Sequence, residues 1–137
     1  MVGFVGDIEK ETLKNNFFRK VLFTAKHEQI VLMCLKPTEE IGDEIHKKTD
    51  QFFRIEQGTA KFIFNEKEKH VAKDGDAVLV PAGTWHNVIN ISKTKKLKMY
   101  TIYSPPHHIQ GTIHKTKADA EKDLKDERYG EMKERKG

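Results

Sequence analysis

With one cysteine in 137 residues, no internal disulfide can form, so the fold must rest on packing alone. Cys34 lies inside the apolar run Ile30-Val31-Leu32-Met33-Cys34-Leu35 and reads as a small buried hydrophobe rather than a reactive thiol. No apolar stretch approaches membrane-spanning length, and MVGFVGDIEKETLKNN lacks the basic-then-apolar pattern of a secretory leader. The expectation is a soluble, cytoplasmic protein with no membrane partner. An excess of one charge sign is also missing. The 25 Lys and Arg face 21 Asp and Glu, interleaved along the chain, for a net +4. No basic face emerges to neutralise a row of phosphates, which argues against a nucleic-acid partner. There is no glycine-rich phosphate loop in a strand-to-helix setting. Ser92 and Ser104 have no evident base partner, so nucleophilic catalysis is unsupported.

What is present is a succession of short β-rich runs divided by turn residues. They are expected at 17–24, 29–36, 43–46, 51–57, 60–65, around Val71, and at 77–80, 85–91 and 97–103. That many short strands within one domain's length predict an antiparallel barrel or sandwich, and closure would remove the edges such strands expose. The double proline at Pro105-Pro106 ends the series, because neither residue can donate to a ladder. From residue 116 the composition turns to helix formers of both charge signs with few apolar residues, predicting a short helix over about 117–128 in a solvated tail. The predicted organisation is an N-terminal segment over 1–14, a barrel over 15–115 and a charged helical tail over 116–137. Phe52, Phe53, Phe62, Phe64, Trp85 and Tyr100, on alternating strands, are assigned mostly to the core.

The most specific segment is Gly75-Asp76-Ala77-Val78-Leu79-Val80-Pro81-Ala82-Gly83-Thr84-Trp85-His86-Asn87-Val88-Ile89-Asn90. Gly75 closes a tight turn where a positive φ is needed. Pro81-Ala82-Gly83 makes a second turn and presents His86 early in the returning strand, held by rigid backbone on both sides. A metal ligand needs such fixed direction. The spacing resembles the second sequence motif of the cupin superfamily: glycine, five residues, proline, any residue, glycine, two residues, histidine, three residues, asparagine. Gly75, Pro81, Gly83, His86 and Asn90 satisfy every fixed position.

The first motif of that superfamily usually reads His-x-His, three or four residues, Glu, six residues, Gly. Counting back from Gly58 puts Gln51 at the glutamate position, His46 at the second histidine and Glu44 at the first. Spacing is retained and identity altered, with one negative charge still offered. Glu44 and His46, two apart, point to one side of a strand. The resemblance implies a divalent metal held by Glu44, His46, Gln51 and His86, for which Fe, Mn, Zn, Ni or Co is chemically suitable. Gln51 either ligates weakly or hydrogen-bonds a water on the ion. Alternation turns the neighbouring Asp50 away from the site.

The likeness covers roughly residues 15–120 and implies a double-stranded β-helix, or jelly roll, with a short C-terminal helix. Its members are commonly homodimers and are often labelled sugar-phosphate isomerase-like, in the manner of mannose-6-phosphate isomerase. The function expected on this basis is a metal-dependent enzyme of the isomerase or epimerase type. It would act on a small oxygen-rich metabolite, with Glu44 or a metal-bound hydroxide as the catalytic base. The alternatives are a non-catalytic small-molecule-binding module and an Fe(II)-dependent dioxygenase. His107, His108 and His114 follow the double proline and are expected in an exposed loop that folds over the barrel mouth or a dimer partner.

Overall fold

The computed structural model of the protein describes residues 2–135. Positions 1, 136 and 137, which the sequence reading places in the terminal segments, lie outside the described residues. The chain runs α1 (Ile8–Lys14), β1 (Arg19–Thr24), β2 (Gln29–Leu35), β3 (Asp50–Gln57), β4 (Thr59–Phe64), β5 (Glu68–Lys73), β6 (Ala77–Val80), β7 (His86–Asn90), β8 (Leu97–Ser104), β9 (Ile113–His114), α2 (Lys117–Lys122) and α3 (Leu124–Arg135). Every strand pairing is antiparallel. Six strands form one sheet in the order β6-β3-β8-β2-β1-β9, and three form the other in the order β5-β4-β7. The result is an all-β jelly roll with helices at its ends.

Alternation along the strands builds the core between the sheets. Phe53 and Ile55 of β3, Val31, Met33 and Leu35 of β2, Leu97 and Met99 of β8, Ala60 and Phe62 of β4 and Val88 of β7 form one buried cluster. Phe53 and Phe62 meet edge to face with centroids 5.1 Å apart, the arrangement the ring quadrupoles favour. The other aromatics assigned to the core lie outside its fully buried set. Phe52, Phe64 and Tyr100 are only partly buried, and Trp85 is 44% exposed. Phe52, Tyr100 and Trp85 have the opposite parity from the core rows of their strands, which composition alone does not show, whereas Phe64 continues the β4 core row to the strand's end and packs against the cluster.

Two motif residues prove to be structural. Gly58, with φ +97°, turns the chain between β3 and β4, where an added Cβ would lie 2.9 Å from the Lys96 carbonyl oxygen. Only glycine fits both constraints. The Asn90 side-chain amide donates to the carbonyls of Leu35, Lys36 and Lys95, and its oxygen accepts from the Ser92 N–H. Fully buried, it ties β7, the end of β2 and the 92–96 loop together.

Four elements depart from the expectation. Residues 43–46 form no continuous strand, and Glu44 makes a single antiparallel bridge to His86. The segment around Val71 is a full strand, β5, because Asn65 and Glu66 both adopt positive φ and fold a tight hairpin with β4. α1, capped by the Asp7 carboxylate on the Lys10 N–H, is too short to announce itself by periodicity. The tail is two helices, broken at Asp123, whose carboxylate receives the Asp126 N–H and so starts α3. Most of it is solvent-exposed, but one face of α3 is docked, with Asp126 and Gly130 buried.

Candidate metal centre

The core rows turn polar toward one end of the barrel. On β3 the row Ile55, Phe53 continues to Gln51; on β7 Val88 is followed by His86; on β8 Met99 is followed by Thr101 and Tyr103. All of these polar groups are at least nine-tenths buried. Glu44 and His86 face each other as a hydrogen-bonded pair, exchanging both backbone N–H···O bonds at 2.8 Å, which sets their side chains on one face. The Gly83 N–H donates to the His46 carbonyl and fixes the next ligand position. The sequence-derived set thus converges. Glu44 Oε2 lies 3.3 Å from His46 Nε2, the His46 and His86 rings are 5.3 Å apart between centroids, and Gln51 Oε1 lies 3.2 Å from His86 Nε2. Asp50 points away, accepting from the Ala82 N–H.

Proton positions follow from the partners. His86 Nδ1 faces the Thr84 carbonyl oxygen at 3.0 Å, which can only accept, so Nδ1 carries the proton and Nε2 presents its lone pair inward. The Gln51 amide donates to Thr101 Oγ1 at 3.0 Å, which leaves its carbonyl oxygen aimed at that same lone pair. Two acceptors facing at 3.2 Å repel unless a cation lies beside both. The spacing suits adjacent ligands of one ion, whose tetrahedral edge is ~3.4 Å for bonds of ~2.1 Å. Both nitrogens of the buried His46 are without a hydrogen-bond partner, a costly condition for desolvated polar atoms. Glu44, His46 and His86 bring ligand atoms within 4.8 Å of one another. These residues fit a divalent ion.

The local electrostatics favour deprotonated ligands. Burial alone would raise the Glu44 carboxyl, but the His46 ring 3.3 Å away, with Arg19 and His86 beyond, holds it at about 2. Burial lowers the His86 imidazole against the opposing pull of the Thr84 carbonyl. The site opens into a cleft of about 810 Å³ lined by Ile41, Trp85 and Arg19 among others.

A cupin domain matches residues 31–103, a span that includes all four predicted ligands. The chain belongs to the cupin family. It is 50% identical over 112 residues to the uncharacterized protein L612 of Acanthamoeba polyphaga mimivirus, covering 80% of this chain and 70% of that one. It is also 50% identical over 122 residues to the uncharacterized protein YrkC of Bacillus subtilis, covering 85% and 65%. The cupin therefore spans about two thirds of each relative's length. The crystal structure of BH2720 from Bacillus halodurans superposes with a TM-score of 0.83 at 45% identity, covering 86% of this chain and 92% of that one.

Around the motif residues this cupin adds a layer that sequence reasoning placed in an exposed loop. His107 packs on His46 with ring centroids 4.3 Å apart. His108 is buried, with Nδ1 2.7 Å from the Asp126 carboxylate and Nε2 3.2 Å from the Tyr103 hydroxyl. Since the carboxylate accepts from Nδ1, Nε2 accepts from Tyr103 O–H. His114 sits in β9 between Arg19 and Asp123. The loop does fold over the barrel mouth, but it is closed in by α3 instead of being exposed. Buried Gln29 holds it there. Its oxygen accepts from the His107 and His108 N–H groups, and its amide donates to the His108 carbonyl. The double histidine after the double proline was the available signal. Asp126 and Glu134 were hidden in a run that reads as surface.

Gly130 explains how α3 comes so close. A Cβ there would meet His107 Nε2 at 2.7 Å and Cε1 at 2.8 Å. Gly→Ala inside an ordinary helix stabilises by ~1 kcal/mol. Here Gly130→Ala is expected to do the reverse and lift α3 from His107, lowering the urea midpoint and speeding tryptic cleavage of α3. An unchanged or raised midpoint would remove the close packing from the account.

Proposed function

We propose that this cupin holds one divalent metal ion through Glu44, His46, His86 and Gln51 and uses it to bind a small oxygen-rich ligand in the adjoining cleft. The observation that carries the reading is the pair of inward lone pairs, on His86 Nε2 and Gln51 Oε1, set beside the partnerless His46 nitrogens. When bound, the ion would act as a Lewis acid toward a carbonyl or hydroxyl. The chain's own residues would do the rest. Thr84 and Thr101 orient two ligands, Trp85 and Ile41 offer apolar contact at the mouth, and Glu44 would be the carboxylate to take a proton alpha to a bound carbonyl.

Charge narrows the ligand class. Seven carboxylates and three cationic side chains line the cleft, a potential that draws in cations and disfavours phosphorylated substrates. A neutral hydroxycarbonyl compound fits better than the sugar phosphate implied by family labels.

The isomerase-type reading requires Glu44 to accept a proton. A carboxylate held at about 2 is a good ligand and a weak base. Burial, with the charges of neighbouring imidazoles, takes His107 to about 3, and burial with Arg19 takes His108 to about 4. Burial also drives Tyr103 far up. These shifted groups all lie away from neutral pH, which favours the second reading, a binding module that captures its ligand without turnover. The Fe(II) dioxygenase reading shares the same two imidazoles and carboxylate. Family likeness supports a homodimer, which sedimentation would register as twice 15.9 kDa.

The deciding experiment loads the protein separately with Zn, Mn, Fe(II), Ni and Co and follows small hydroxyketones and keto acids by NMR in D2O. Under the catalytic reading, solvent deuterium enters the carbon next to the carbonyl, and Glu44→Gln slows this by roughly a hundredfold. Line broadening of a bound ligand with no exchange or oxygen uptake leaves the binding module. Absence of metal uptake removes the catalytic reading and the metal-dependent form of the binding module.

A further inference from the structure

Among the described residues, six buried side-chain atoms lack a hydrogen-bond partner. Four belong to one cluster: both nitrogens of His46, Nδ1 of His107 and Oε1 of Glu134. The three side chains come from three separate segments, namely the loop before β3, the loop after β8 and the last turn of α3. Their ligand atoms lie within 4.8 Å of one another. His107 Nδ1 and Glu134 Oε1 are 3.6 Å apart, too far for a good hydrogen bond and close to the ~3.4 Å edge of a tetrahedral site. His46 is 5% exposed, and leaving its nitrogens dry and unpaired is unfavourable. The other Glu134 oxygen accepts the Lys48 N–H at 2.7 Å, which orients the carboxylate as an outer contact orients a ligand. Gln29 fixes the His107 backbone, so both incoming groups are held by their surroundings.

We infer that His46, His107 and Glu134 form a second divalent-cation position, on the α3 side of His46, that pins the C-terminal helix to the barrel mouth. Two imidazoles and one carboxylate with a fourth coordination place open make a donor set of the kind Zn²⁺ and Co²⁺ accept. None of the three ligands other than His46 belongs to the motif-derived set. The ion links elements far apart in sequence, so its binding and the docking of α3 are thermodynamically coupled. A cation bound only when α3 is docked opposes undocking, and undocking weakens the cation's hold by the same factor.

Because His46 is shared, the test starts from a double variant, Glu44→Gln with His86→Ala, that removes the carboxylate and the second imidazole of the first position and leaves only the neutral Gln51 beside His46. This variant is expected to bind one equivalent of Zn²⁺ in equilibrium dialysis, and Zn²⁺ is expected to slow tryptic cleavage after Lys125, Arg128 and Lys133. Adding Glu134→Gln, which keeps an acceptor for the Lys48 N–H, is expected to weaken binding at least about tenfold and to abolish the protection; His107→Ala should do the same. Loss of all binding in the starting variant, or unchanged binding and protection after Glu134→Gln, overturns the inference. If the wild-type protein binds Zn²⁺ and the starting variant does not, the first position stands alone. If the starting variant binds as tightly as wild type and Glu134→Gln removes the ion from both, the second position stands and the first falls.

Discussion

Replacing His46 by phenylalanine is expected to weaken Zn²⁺ or Co²⁺ binding by roughly a hundredfold or more, beyond what losing an outer contact costs, while leaving the metal-free protein at least as stable. His46 is the one side chain common to both donor groups, so its removal leaves neither with more than two nitrogen or carboxylate ligands. The sign of the stability change is the sharper part. In most proteins a buried histidine is anchored by its hydrogen bonds, and losing it costs a few kcal/mol. Here neither ring nitrogen makes a hydrogen bond, the contacts to His86, Tyr103 and His107 are ring against ring, and the one carboxylate nearby is that of partly exposed Glu44 at 3.3 Å. A phenyl ring keeps that packing and drops two desolvated polar atoms, a gain of about 1 kcal/mol that offsets the loss of the weak pairing with the partly exposed Glu44 carboxylate. Urea titration of the metal-free proteins, paired with dialysis against Zn²⁺, measures both effects. A metal-free His46→Phe protein less stable by more than about 1 kcal/mol would mean that His46 has a structural role independent of any ion.

Acid should loosen the protein well above the pH at which carboxylates usually protonate. Burial holds the His108 imidazole neutral down to about 4, with Arg19 adding to the depression and Asp126 opposing it. The unfolded chain binds that proton at its ordinary value near 6.5, so between roughly pH 6.5 and 4 it carries more protons than the native state. Stability therefore rises with pH across that window, is complete above it and is lost as pH falls through it. For one group the slope approaches ~1.4 kcal/mol per pH unit, giving a total of order 3 kcal/mol. Asp126 acts in the same direction at lower pH. Burial alone would raise it, but the His108 bond and the Ile109 N–H lower it below its usual value, so protonating it also breaks native contacts. Urea midpoints at pH 7, 5.5 and 4.5, followed by the fluorescence of Trp85 in the cleft, should fall steeply. His108→Gln should flatten the profile. An equal slope in that variant would assign the acid sensitivity elsewhere.

The fold and the centre of the site could be read from the sequence because both are written at short range. Gly75, Pro81, Gly83, His86 and Asn90 lie within one turn–strand–turn–strand unit, where spacing translates directly into geometry. Glu44, His46 and Gln51 were recoverable by counting back from Gly58, although only Gln51 is in a continuous strand. What could not be read depends on long-range docking. His107 and Glu134 approach His46 from loop and helix, and no local pattern marks that meeting. Asp126 and Glu134 sit among alternating lysines and glutamates, a composition that elsewhere means water on every side. The one local clue was Gly130, a glycine interrupting helix formers, whose reason is the ring of His107 beneath it.

The position of α3 also bears on how the protein should be handled in the laboratory. A polyhistidine purification tag fused after residue 137 would tether loose imidazoles near Glu134, at a local concentration far above that of free metal. Such a tag would compete with His46, His107 and Glu134 for the proposed ion. Preparations tagged there would report metal content and tail mobility belonging partly to the handle. Placing the tag at the other terminus, or cleaving it before dialysis, keeps the measured ion the protein's own.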